Sequence, residues 1–176
     1  MKKFLILMIS VGILSCANNK TEQVSTIKIK DEKAQKISKM MESYVNNNFD
    51  SSIISEDAKI KFNQLEMTKT DFENLVITHH AMFNEISFPE GWMETVNYIG
   101  ADVKNAGGKY ADDYGSTWTS HWSDWTAVSK ISGDTISNHC FFGYKWENDK
   151  IVEVSAIFPD EAFNKELAMF MEANKK

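Results

Sequence analysis

The chain of 176 residues carries 19 lysines, no arginine and 25 acidic residues, a formal net charge of −6 at pH 7. With 43% hydrophobic, 25% charged and 12% aromatic residues it has the make-up of a folded globular protein and not of a disordered, collagen-like or coiled-coil one, and its length suits one domain around one core. The acidic balance and the missing guanidinium fork argue against nucleic acid as a partner, since a phosphate grip needs basic side chains gathered on one face.

In chain order, Lys2 and Lys3 precede an apolar stretch from Phe4 to Leu14, followed by Ser15 and Cys16. This is the outline of an export signal. As a helix the stretch spans about 16 Å, half the hydrocarbon thickness of a bilayer, too short for a permanent membrane helix. The ending Ile13-Leu14-Ser15-Cys16 resembles the lipobox of bacterial lipoproteins. That resemblance implies a signal peptide over residues 1–15, a diacylglycerol group and further acylation on Cys16, and a membrane-anchored protein of the bacterial cell envelope, facing the periplasm or the exterior. Cys16 and Cys140 are the only cysteines, so lipidation leaves Cys140 to act as a small apolar filler. Residues 16–30, rich in Asn, Lys, Thr and Glu, read as the lipidated cysteine and a flexible tether, and residues 31–176 as the folded domain.

Within that domain Ala34, Ile37, Met41, Tyr44 and Val45 recur at helical steps behind a capping Asp31. Asp50 is placed to cap a single-turn helix, and residues 58–63 alternate as a strand. Thr70 and Glu73 have capping-box spacing ahead of an apolar stripe containing Phe72, Leu75, Val76, His79, Met82, Phe83 and Ile86, which Pro89 and Gly91 end. Strands follow over 92–103, 117–129, 135–147 and 150–158. They are interrupted by a glycine-rich excursion at 105–115 that reads as a mobile loop, and a short helix over 160–171 closes the chain.

The pairing of the two longest strands decides which side chains face inward, because a slip of one residue turns every one over. An odd-numbered loop around Ser132-Gly133 puts Trp118, Trp122, Asp124 and Val128 on one face with Ile136, Cys140, Phe142, Tyr144 and Trp146, and puts Thr117, Thr119, His121, Ser123, His139 and Lys145 on the other. This segregation is the cleaner one and is preferred, although Trp125 and Phe141 then fall on the polar side.

The stretches YVNNNFDSSIISEDAKIKF (44–62), TWTSHWSDWTAVSKISGD (117–134) and HCFFGYKWENDKIVE (139–153), with the order of elements over 31–171, resemble the nuclear transport factor 2-like fold in its SnoaL-like branch. The resemblance implies an α+β architecture. A strongly curved antiparallel sheet packs on the N-terminal helices as a cone, with a pocket at the wide end, and dimerisation through the sheet is common. Relatives include isomerases, cyclases and dehydratases, so the fold leaves the function open.

Candidate pocket residues are Tyr44, His79, Trp118, Trp122, Asp124 and Tyr144. His79, on the apolar stripe, is either a proton-exchanging imidazole or a core histidine bonded to a neighbour. Asp124 among tryptophans would be a desolvated general base in the preferred register and a solvent-facing carboxylate in the other. The four histidines have no metal-ligand spacing, and no nucleotide-binding or nucleophile-elbow pattern is present, so neither metal nor cofactor is expected. Three functions remain. One is a small-molecule binder with an aromatic pocket. Another is an acid-base isomerase, cyclase or dehydratase using Asp124 or His79. The last is an assembly module that docks a partner through an outer sheet face bearing Trp125 and Phe141.

Overall fold

A computed structural model of the chain describes residues 25–175; the expected signal at 1–15 and the expected lipidation site Cys16 lie outside the described residues. The first element is a strand, β1 (Thr26–Ile29), paired antiparallel with residues 94–97. The expected tether up to residue 30 is thereby corrected, because these residues complete a sheet edge.

Helix α1 (Glu32–Val45) begins where Asp31 accepts the Ala34 N–H at 2.9 Å, and Ala34, Ile37, Met40 and Tyr44 form its buried stripe. No helix follows Asp50. Its carboxylate accepts the Ser52 N–H at 2.9 Å in a turn, from which the chain enters β2 (Ile54–Phe62) and a short return strand, β3 (Leu65–Met67). Helix α2 (Lys69–Met82) is capped two residues earlier than its spacing predicts, with Thr68 and Asp71 forming the capping box in place of Thr70 and Glu73.

Helix α2 also ends earlier than predicted. Residues Phe83–Ser87 form β4, in which Phe83 pairs with Ser129 and is 2% exposed. Burying Phe83 against an otherwise unpaired stretch of sheet outweighs the helical periodicity that runs through it. Strand β5 (Gly91–Asn97) is shorter than expected. The supposed mobile loop instead contains two short helices, α3 (Ala101–Asn105) and α4 (Gly108–Asp112). Strands β6 (Thr117–Ser129), β7 (Thr135–Glu147) and β8 (Lys150–Ile157) and helix α5 (Glu161–Ala173) follow the sequence reading closely.

The sheet runs β1-β5-β6-β7-β8-β2-β3, with β4 also on β6; β2 and β8 pair in parallel and the other neighbours are antiparallel. Strand β6 pairs with β5 up to Ser123 and with β4 from Thr126. Gly91 opens β5 at this changeover, where a Cβ would stand 2.5 Å from the Trp122 carbonyl oxygen. Register shifts in the β4/β6, β7/β8 and β2/β8 ladders accompany the bend. The result is a mixed α+β domain whose curved, unclosed sheet holds α1, α2 and α5 on its inner face.

The register of β6 and β7 is the reverse of the one preferred from sequence. Val128 pairs with Thr135, so six residues separate the strands, an even number, with Gly133 at φ 78° in the turn. Thr119, His121, Ser123, Trp125 and Ala127 therefore face inward with Ile136, Asn138, Cys140, Phe142, Tyr144 and Trp146. Trp118, Trp122, Asp124, His139 and Phe141 face outward. Thr119 and Ser123 are tolerable on the inner face because they are paired: Trp146 Nε1 donates to Thr119 Oγ1 at 2.9 Å, and Ser123 Oγ donates to the Glu90 carbonyl at 2.5 Å.

The core forms two clusters. One gathers Ile37, Met40, Ile54, Ile60, Trp146, Ile151 and Val154; the other gathers Tyr44, Val76, Met82, Phe83, Trp125, Ala127 and Cys140. Phe49, Phe72, Phe142 and Phe158 pack against both.

Candidate functional site

A cavity of about 200 Å³ lies where the two clusters meet. Its walls come from Met41 and Tyr44 of α1, Phe72, Leu75, Val76 and His79 of α2, and the inner face of the sheet through Phe62, Trp125, Cys140, Phe142 and Tyr144. The rings meet edge to face, Phe72 standing 5.3 Å from both Phe49 and Phe62, a packing that holds flat side chains apart on a curved wall. By size the space lies between a cavity of ~150 Å³ that takes one benzene ring and the ~300 Å³ at which ordinary ligand pockets begin.

The mouth lies beside Asn63, Asp160 and Asn164. Asn63, at φ 52° in the β2–β3 turn, donates its amide to the Phe158 carbonyl at 2.9 Å and accepts the Phe158 N–H at 3.1 Å. This clasp fixes the approach to α5, whose Phe163 stands 5.1 Å from the His79 ring.

Polar atoms on the interior are few. Trp125 Nε1 donates to Tyr44 Oη at 2.9 Å, and Tyr44 Oη is 2.9 Å from His79 Nδ1. Burial lowers the His79 pKa to about 4, with His80 a smaller influence in the same direction, and raises that of the Tyr44 hydroxyl. His80 is occupied elsewhere, its Nε2 standing 2.6 Å from the Tyr44 carbonyl. The Cys140 thiol donates to the Ser123 carbonyl at 3.1 Å, and burial pushes its pKa up to about 12, so it is a filler and no nucleophile at neutral pH. The Tyr144 hydroxyl, also raised by burial, points to Met41 Sδ at 3.8 Å. Asn138 lines the cavity beside its cross-strand partner Trp125.

The structure brings together Tyr44, His79 and Tyr144 of the residues expected to line a pocket. It places Trp118, Trp122 and Asp124 on the opposite face of the sheet. Asp124 hydrogen-bonds the fully exposed His139 across the strands, and Trp118 Nε1 donates to Asp113. The expected general base is therefore remote from the cavity, because the even β6–β7 loop turns it outward. Trp125, expected on the outer face, is instead a cavity wall. Sequence reasoning missed Trp125, Asn138 and Phe142 as lining partners of Tyr44 and His79. The signal available was the even register, which buries Trp125 and sets Asp124 opposite His139 as a complementary pair.

Among the described residues no group of three His, Cys, Asp or Glu side chains is placed to hold a metal ion, and no helix is long and apolar enough to cross a membrane.

No family model matches the sequence, and no curated protein does. Solved structures do match. AclR of Streptomyces galilaeus, provisionally named a hydroxylase, superposes at TM-score 0.52 with 13% identity over 78% of this chain and 96% of its own. An NTF2-like protein of unknown function from Burkholderia pseudomallei superposes at 0.51 with 10% identity over 77% and 96%. A protein from Silicibacter provisionally named a polyketide cyclase superposes at 0.51 with 8% identity over 76% and 93%. At these identities the likeness is one of fold.

Proposed function

Because this chain has the nuclear transport factor 2-like fold in its SnoaL-like form, enclosing an apolar cavity, we propose that it binds a small, largely apolar molecule there, held to the bacterial cell envelope by lipid on Cys16. The observation that carries the binding reading is the cavity itself. Aromatic and aliphatic side chains from both core clusters leave about 200 Å³ between them instead of closing on each other, and a few polar groups face inward to orient an occupant.

The test is to purify the full chain from its native membranes, denature it and analyse what is released by mass spectrometry. The wild type should release a defined small molecule, and Val76→Phe, which fills the cavity from α2, should not. Identical release from both proteins overturns the reading. The anchor has its own test: Cys16→Ser should abolish metabolic labelling by a fatty acid, and label retained on the variant overturns the lipoprotein proposal.

An acid-base enzyme is the runner-up, favoured by one observation: a neutral imidazole, His79, oriented by Tyr44 on a cavity wall. A further reading concerns assembly. On the outer face Trp92, Trp122, Phe141 and Ile157 are cross-strand neighbours in one apolar row over β5, β6, β7 and β8, and we propose that a second copy of the chain covers it.

A further inference from the structure

Resting on the ligand-binding reading, we propose that the cavity selects a ligand by hydrogen-bond sense: an apolar body of about one ring carrying an acceptor oxygen of the ketone, ester or lactone type, which receives the Nε2–H of His79.

The polarity is set by an obligate donor. An indole N–H can only donate, so at 2.9 Å from Trp125 Nε1 the oxygen of Tyr44 is an acceptor. Tyr44 is 6% exposed, and the other polar atom within reach of its hydroxyl is His79 Nδ1 at 2.9 Å. Were Nδ1 to carry a proton, the tyrosine O–H would be buried with nothing to receive it. The arrangement that satisfies every group has Tyr44 donating to Nδ1, which puts the imidazole proton on Nε2. Burial keeps the ring neutral at ordinary pH, so the ring carries a single N–H, on Nε2. Among the described residues no side chain or carbonyl receives that N–H, and His79 lines the cavity.

The other interior groups leave the sense of this contact unchanged. His80 serves the Tyr44 carbonyl and Cys140 serves Ser123. The amide of Asn138 can turn either end inward and so accepts either kind of partner. The one carboxylate among the lining residues, Asp160, belongs to the mouth, where it meets the Asn63 amide at 3.4 Å. A cation or a ligand that offers only a donor therefore meets an N–H at the inner wall.

Acetophenone and α-methylstyrene provide the test, since they differ by a carbonyl oxygen against a methylene of nearly the same shape. Titrated into the full chain and followed by 1H–15N chemical shifts, acetophenone should bind about fivefold more tightly, the factor that ~1 kcal/mol of hydrogen bonding represents. In His79→Phe, checked for folding by its thermal transition, the ratio should fall to about one. Equal affinities in the wild type, or a preference that survives in His79→Phe, overturn the acceptor proposal and leave the cavity a binding site. Binding of neither compound up to its solubility overturns the ligand-binding reading along with it. A measurement that needs no variant is the tautomer itself: long-range 1H–15N spectra of the unliganded chain should show the His79 proton on Nε2, and a proton on Nδ1 overturns the proposal.

Discussion

His79 and His121 are both turned inward and both driven to a pKa of about 4 by burial, yet their nitrogens meet different surroundings. His79 has Tyr44 at Nδ1. His121 lies between Phe88 and Phe142, and its buried Nδ1 has no hydrogen-bond partner among the described residues. Both groups are easier to protonate in the unfolded chain, near pH 6.5, than in the folded one. The stability they contribute is therefore complete above about pH 6.5 and lost as pH falls toward 4, by up to about 3 kcal/mol for each. His121→Leu keeps the volume and removes one of the two titrations. Denaturant midpoints at pH 4.5 and 7.5 should differ less in this variant than in the wild type. At the higher pH the variant should match the wild type or exceed it by about 1 kcal/mol, because a buried atom without a partner is gone. Parallel pH curves for the two proteins would rule His121 out as a source of acid sensitivity. The inward placement of His79 was legible from its helical stripe. That of His121 was not, since a histidine between a serine and a tryptophan on a strand carries no mark of its face.

Helix α5 packs Phe163, Leu167 and Phe170 against the core and is also tied to the β6–β7 turn by one buried polar side chain. Its Glu166, 3% exposed, accepts Ser129 Oγ at 2.5 Å and Ser132 Oγ at 2.9 Å, while Ser129 Oγ accepts the N–H groups of Ile131 and Ser132. The β6–β7 turn and the helix that carries Phe163 to the cavity are thus one unit. Glu166→Ala leaves both hydroxyls without their acceptor and should cost about 2–4 kcal/mol. Amide exchange should rise in α5 and in the β6–β7 turn and stay unchanged in α1. A uniform rise across the chain would show that the clasp belongs to the global fold and not to this unit. Elements whose alternation runs unbroken, such as β6 and β7, were legible to the residue. The end of α2 was not, because Phe83 fits a helical stripe as well as a strand and only the vacancy beside Ser129 decides between them.

Across the whole molecule the sheet has two apolar faces, and the helices cover one. On the outer face Trp92 stacks on Trp122 with ring centres 5.9 Å apart, Trp122 meets Phe141 at 4.6 Å, and Ile157 extends the row. Trp92 is 59% and Ile157 63% exposed, an unusual amount of apolar surface for a lone domain. If a second copy covers this row, Trp122→Glu at its centre should shift the chain to a monomer in sedimentation or size exclusion while its thermal transition moves little, since Trp122 lies outside the core. An unchanged assembly state overturns the proposed dimer. The expectation that Trp125 would serve such a face is replaced by Trp122, because the even β6–β7 loop reverses the two.

The sequence alone determined what depends on neighbours along the chain. Periodicity delivered the long strands, the Asp31 cap and the inward stripe of α2 that carries His79, and the resemblance of three stretches to a known fold implied the α+β architecture. Tertiary structure decided whatever depends on pairing between distant segments: the strand status of residues 83–87, the docking of β1, and the register that exchanged Asp124 for Trp125 at the cavity. The physical reason is the two-residue repeat of a strand. A strand with polar and aromatic residues on both faces is equally regular either way up, and its choice of face is made by the loop that joins it to its partner and by the groups that satisfy its buried hydroxyls.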